Sequence, residues 1–117
     1  MAEHDEQRAL VEYLEAVGAV YYAIPNGGYR TKAEAAKLKA EGVRKGVPDL
    51  CVPMARGGYH SLYIEMKRTD GVASDVSDEQ YGWVMALREQ GMAAFACFGV
   101  DNAIACVDWY LGLDSDV

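Results

Sequence analysis

The sequence predicts an α/β (α+β) fold: a mixed central sheet of about four strands flanked by helices, in the order α-β-α-β-β-α-β-α. Three observations lead there. Apolar residues at helical spacing recur in four segments, most of them opened by a capping residue or stopped by glycine. Short runs rich in β-branched and aromatic residues lie between them, bounded by Gly and Pro. The chain has 117 residues, enough for one domain with one core (residues 1–117) and not comfortably for two.

The first helix covers residues 3–17, where Leu10, Leu14 and Val17 share a face and Gly18 is the stop. AVYYAI (19–24) reads as a strand that ends at Pro25-Asn26-Gly27-Gly28. Residues 31–41 form a second helix, with Thr31 as N-cap, Glu34 completing a capping box and Gly42 as the stop. Val47–Pro53 and His60–Lys67 are strands joined by turn residues around Gly57-Gly58. Ser77-Asp78-Glu79-Gln80 is another capping box, opening a helix to about Gln90 that Gly91 ends. MAAFACFGV (92–100) is a buried strand, and residues 102–112 are a last helix with Asp101 as N-cap.

Composition narrows the function classes. Half of the chain is apolar (51%) and a quarter charged (25%), which fits an ordinary globular protein and excludes a disordered tail. No apolar run approaches the roughly 20 residues of a membrane span. The opening MAEHDEQR is polar and acidic and does not read as a signal peptide. Cys51, Cys97 and Cys106 lack metal or disulfide spacing and read as small hydrophobes in a reducing cytosol, so a cytoplasmic location is expected. The net charge of −7 speaks against a general nucleic-acid binder. Residues 29–46 are nevertheless locally +4, with Arg30, Lys32, Lys37, Lys39, Arg44 and Lys45 against Glu34 and Glu41. Such a segment is either a phosphate-gripping patch or a solvated helix face.

The two strands around Gly57 carry the chemistry. A hairpin centred there pairs residues whose numbers sum to 114, so Asp49 opposes Glu65, Cys51 opposes Tyr63 and Pro53 opposes Ser61. Directly opposed carboxylates, with Cβ atoms about 5 Å apart, repel each other unless a counter-charge joins them. Lys67 emerges on the same face, while Leu50, Val52, Leu62, Ile64 and Met66 make the apolar one. The set is suited to a hard divalent cation and phosphodiester hydrolysis. The competing reading is a salt-bridge ladder with Lys67 neutralising both acids.

Val47-Pro48-Asp49 followed by Ile64-Glu65-Met66-Lys67 resembles the PD-(D/E)XK nuclease signature. Gly46–Leu50 with Tyr63–Arg68 is similar to its virus-type replication-repair nuclease (VRR-NUC) branch. The flanks resemble that branch too: the Glu…Gln first helix, Ile24-Pro25-Asn26-Gly27-Gly28, Leu38–Gly42, and Ser77-x-x-Gln80 with Trp83 and Gly91. The resemblance implies a restriction-endonuclease-like core, dependence on Mg²⁺ or Mn²⁺, and structure-specific cleavage of branched DNA in the cytoplasm of a bacterial or phage-infected cell, with no nucleotide cofactor. Similar stand-alone domains are homodimeric Holliday-junction resolvases, whereas the domain in the Fanconi-associated nuclease is monomeric and handles flaps. Carried over by residue, Asp49, Glu65 and the Met66 backbone carbonyl are metal ligands and Lys67 is the catalytic lysine. A first-helix residue completes the site; Glu3, Glu6 and Gln7 compete, and the i,i+4 pair Glu3 and Gln7 is favoured.

Other residues have plain alternatives. Asn26 and Gly27 are either a turn or a point where DNA backbone comes close. Arg30, Lys32, Arg44 and Lys45 are candidates for phosphate contacts. Gln80 is accounted for by its cap, with a polar contribution to the site as the minority reading. Trp109, Tyr110 and Leu113 either close the core or supply a dimer interface.

Overall fold

The computed structural model describes residues 1–25 and 30–115. Their elements are α1 (Glu3–Ala16), β1 (Tyr22–Ala23), α2 (Lys32–Ala40), β2 (Leu50–Val52), β3 (Leu62–Lys67), a 3₁₀ turn (Ala73–Asp75), α3 (Asp78–Glu89), β4 (Ala93–Phe98) and α4 (Val100–Leu111). The order is the expected one. The sheet runs β1-β2-β3-β4, with β1–β2 and β2–β3 antiparallel and β3–β4 parallel across the α3 crossover. No helix among the described residues is long and apolar enough to cross a membrane.

The two sheet faces have different tasks. Leu50, Val52, Leu62, Ile64, Met66, Ala93 and Cys97 form a core with Leu10 and Leu14 of α1 and with Ala103, Val107 and Tyr110 of α4. Tyr110 is fully buried and its hydroxyl donates to the Met54 carbonyl at 2.6 Å, so it belongs to the core and not to an interface. The Tyr13 hydroxyl donates to Asp108, tying α1 to α4. The opposite face carries Tyr22, Cys51, Tyr63 and Ala94 in one row across all four strands, and then Glu65 and Lys67. Ala94 is fully buried.

The β2–β3 ladder has the expected register: Leu50↔Ile64, Cys51↔Tyr63 and Val52↔Leu62. The turn beyond it is displaced by one residue. Gly57 and Gly58 both have positive φ, the two-residue geometry only glycine adopts freely, and Arg56 pairs with Tyr59 on either side. Three residues, 53–55, therefore face two, 60–61, and the bulge removes the expected Pro53–Ser61 pair. Pro53 has no N–H to give a ladder, which is where β2 stops.

Two further expectations are corrected. The first strand shrinks from 19–24 to Tyr22–Ala23, because it is an edge strand with Val20 and Tyr22 exposed and little apolar surface to bury. The cap of α4 is Gly99, not Asp101, which lies in its first turn. The Val100 N–H is instead met by the Glu6 carboxylate from α1, at 3.1 Å.

Candidate active site

The acidic residues meet at one end of the sheet. The Asp49 backbone is held by the residue just after β1, the Ile24 N–H donating to its carbonyl at 2.8 Å. Its side-chain Oδ2 accepts from the Met66 N–H at 2.7 Å and so continues the β2–β3 pairing by one residue. Glu65 projects from β3 on the same face and is almost fully buried. Glu3, in the first turn of α1, reaches round the sheet end. One carboxylate oxygen from each of Glu3, Asp49 and Glu65 lies within 4.8 Å of the others. The Lys67 Nζ stands 3.9 Å from Glu65 Oε2, and Lys67 is only 8% exposed. The Lys67 carbonyl accepts from Gly99 on the β4 side, so the adjacent Met66 carbonyl turns toward β2 and Asp49.

Gln80 does two things at once. Its Oε1 accepts from the Ser77 N–H at 2.9 Å, closing the capping box, and its Nε2 donates to Glu65 Oε2 at 2.9 Å. Gln80 thus caps α3 and also bonds the Glu65 carboxylate. Gly46 allows the approach this needs. With φ of +92° it presses so close to α3 that a Cβ there would lie 2.7 Å from the Glu79 backbone. Lys45 is thereby brought to Glu79, 3.3 Å away.

Glu6, which the sequence left as a rival to Glu3 and Gln7, points away from the acidic group. Its carboxylate accepts from the Thr69 N–H (2.8 Å), the Thr69 hydroxyl (2.7 Å) and the Val100 N–H. It anchors the first turn of α1, and Glu3 with it, to the segment just after Lys67. Gln7 is not brought to the acids; it lines a shallow groove with His4, Arg8, Val11 and Glu12. Nothing local to the sequence singled out Thr69, and Gly46 stood in the quoted motif without a role.

Electrostatics at the cluster are strained. Burial, and then the neighbouring Asp49 charge, push the Glu65 carboxyl up to about 8, and Lys67 offsets only part of this. Burial also raises Asp49, opposed by its bond from Met66. Three carboxyls, all offering oxygen, fit a hard divalent cation by donor chemistry, with the Lys67 ammonium beside them. A pH prediction follows. Because the folded value of Glu65 lies above its ordinary one, ionising it costs stability as pH rises from about 4.5 toward 8. A cation displaces that proton, so Mg²⁺ or Mn²⁺ should raise the melting temperature more at pH 8 than at pH 5.5. At ten times its Kd the gain is about 1.4 kcal/mol, roughly 5 °C for a chain of this size. Equal gains at both pH values would remove the carboxyl pair from cation binding.

The basic residues form a neighbouring cleft. Arg30, Lys39, Arg44 and Lys45 line it, with a volume of about 440 Å³, while Lys32 stands outside its lining. Arg44 is held by the Lys39 carbonyl at 2.9 Å. Asn26 and Gly27 lie outside the described residues.

Comparison with known proteins agrees with the fold. The family model described as the VRR-NUC domain matches residues 1–101. A solved structure titled "VRR_NUC domain protein" is 27% identical with a TM-score of 0.84, covering 97% of this chain and 91% of its own. Another, titled "VRR_NUC domain", is 22% identical with a TM-score of 0.62, covering 92% and 96%, and supports the fold alone. No curated protein sequence matches the chain. With a family match that runs from the first helix through the acidic strand end and into α4, the chain belongs to the VRR-NUC family, nuclease domains of the PD-(D/E)XK type.

Proposed function

We propose that the chain is a Mg²⁺- or Mn²⁺-dependent, structure-specific DNA endonuclease that cuts four-way junctions as a homodimer. The observation that carries the chemistry is the convergence of Glu3, Asp49 and Glu65 beside the buried Lys67. Asp49, Glu65 and the Met66 carbonyl would hold the cation, with Glu3 the contribution from the first helix. When bound, the cation supplies Lewis-acid polarisation of the scissile phosphate and lowers the pKa of water. The protein's own groups do the rest. The Met66 N–H and Gln80 Nε2 fix the Asp49 and Glu65 carboxylates in place. Lys67, three donors on a positive centre, orients the attacking water or neutralises charge gathering on the phosphate. Arg30, Arg44 and Lys45 hold the flanking phosphates.

The homodimer follows from the substrate. Symmetric cutting of two strands needs two sites, most simply related by a two-fold axis. With Tyr110 in the core, our candidate surface for this is the open side of β4, where Phe95, Phe98, Cys106 and the 43% exposed Trp109 line a groove of about 530 Å³. The test combines sedimentation mass with cut mapping on labelled four-way junctions, flaps and linear duplex. The expected result is paired incisions in the junction by a particle of twice the 12.8 kDa chain mass, with linear duplex largely uncut. A monomer that makes one incision near a flap would replace the resolvase reading by a flap nuclease. DNA binding without cleavage in either metal would leave a binding module.

A further inference from the structure

A second cleft opens beside the acids, on the same sheet face. Tyr22, Ile24, Tyr63, Trp83 and Leu87 line it, with Arg44 at its edge, and its volume is about 470 Å³. Its floor is built from paired strands: Tyr22 stands opposite Cys51 and Cys51 opposite Tyr63, so the two tyrosines flank one small residue. The Cys51 side chain beside it pushes the Tyr22 hydroxyl up to about 12. Tyr22 is nevertheless 49% exposed, an aromatic surface that the core does not use.

Position relates this cleft to the chemistry. Tyr63 precedes Glu65 by two residues on the same face, about 7 Å along the strand. Trp83 follows Gln80 by one helical turn, and Gln80 is bonded to Glu65. The cleft also shares Val43 and Arg44 with the basic cleft of Arg30, Lys39 and Lys45. Apolar aromatic walls next to a cationic channel complement a nucleotide, whose base is a flat ring and whose phosphate is an anion. A base inside a duplex has both faces stacked and its edge paired, so the cleft suits a base that is already free.

We propose that this aromatic cleft is a subsite for one unpaired nucleobase next to the cleaved phosphate, which would make the enzyme select branch points where a base is unstacked. The proposal rests on the nuclease reading and names what that site recognises beside the phosphate.

The experiment uses the full chain in EDTA, where binding is read without cleavage. Two branched DNAs differ only at one unpaired position at the branch, thymine in one and an abasic tetrahydrofuran residue in the other. Base-on-aromatic stacking predicts roughly tenfold tighter binding of the thymine DNA. Tyr22→Ala, at an exposed edge position, should remove that preference, and Trp83→Leu should do the same. The wild-type comparison needs no variant to fold. Wild-type affinities within about twofold of each other would overturn the proposal, since stacking is worth more than that. If Mg²⁺ or Mn²⁺ then supports cleavage of both DNAs, the nuclease reading stands without the subsite. A preserved thymine preference with no cleavage in either metal would support the subsite and overturn the nuclease reading. No affinity for either DNA would overturn the subsite, and cleavage in Mg²⁺ or Mn²⁺ then decides the nuclease reading by itself.

Discussion

Glu65→Gln is expected to lower the rate of DNA cleavage at least ~100-fold, the scale on which removal of one electrostatic group from a reaction centre is felt. Asp49→Asn and Lys67→Ala should have losses of the same order. The effect on the fold goes the other way. Glu65 is buried against Asp49, and its ionisation is opposed by burial and by that neighbour, so an amide of the same shape relieves a repulsion. In EDTA at pH 8 the Glu65→Gln protein should melt at or above the wild-type temperature, and its affinity for DNA should be retained. The cation-dependent rise in melting temperature should shrink with it. Cleavage rate, DNA affinity and melting temperature thus separate a catalytic carboxylate from a structural one. Near-normal cleavage by the purified variant would take Glu65 out of the mechanism. A salt-bridge ladder, the competing view of these residues, makes the opposite forecast: lower stability with no specific loss of rate.

What the sequence makes legible is what depends on neighbours along the chain or across one tight turn. The Gly57-Gly58 turn sets the β2–β3 register, and with it the approach of Asp49 to Glu65. That register survives although the turn is offset, because the bulge at 53–55 takes up the extra residue. The Ser77…Gln80 cap is legible for the same reason: its partners are three residues apart. The second bond of Gln80, to Glu65, depends on how α3 is laid across the sheet, and no periodicity encodes that. The first-helix contribution is ambiguous in the same way. Glu3 and Gln7 do share a helical face by count, but the helix meets the strand end only at its first turn, so Glu3 arrives and Gln7 passes by. The edge strand is overread because aromatic and β-branched residues favour strands whether or not a partner exists to cover them. Tyr22 keeps only half of its surface from solvent.

The second large effect is expected at Glu6. Glu6→Ala leaves the Thr69 N–H, the Thr69 hydroxyl and the Val100 N–H without their acceptor, at places 63 and 94 residues away in sequence. Buried groups that lose a charged partner cost about 1–3 kcal/mol each, with water recovering part, so a loss of about 3 kcal/mol in urea unfolding is expected. Glu6→Gln should lose less, about 2 kcal/mol, because one oxygen remains to accept where the carboxylate had two. The pH dependence identifies the charge as the cause. The Thr69 hydroxyl, with help from the Val100 and Thr69 N–H groups and against the opposing effect of burial, holds this carboxyl below its ordinary value of 4.5. A depressed folded value means the stabilisation is complete above about pH 4.5 and is lost as pH falls through the folded value. Wild-type stability should therefore decline in that acid window more steeply than that of Glu6→Gln. The same anchor sets the site, since Glu3 lies one turn ahead on α1 and Lys67 two residues before Thr69. Cleavage by Glu6→Gln, measured where the variant is fully folded, should fall about tenfold, in keeping with the 10–100-fold losses seen when groups that orient metal ligands are replaced. Unfolding curves in urea between pH 3 and pH 7, with cleavage rates at pH 7, test both halves. A variant that keeps wild-type stability and its acid slope would show that the three hydrogen bonds do not hold α1 in place.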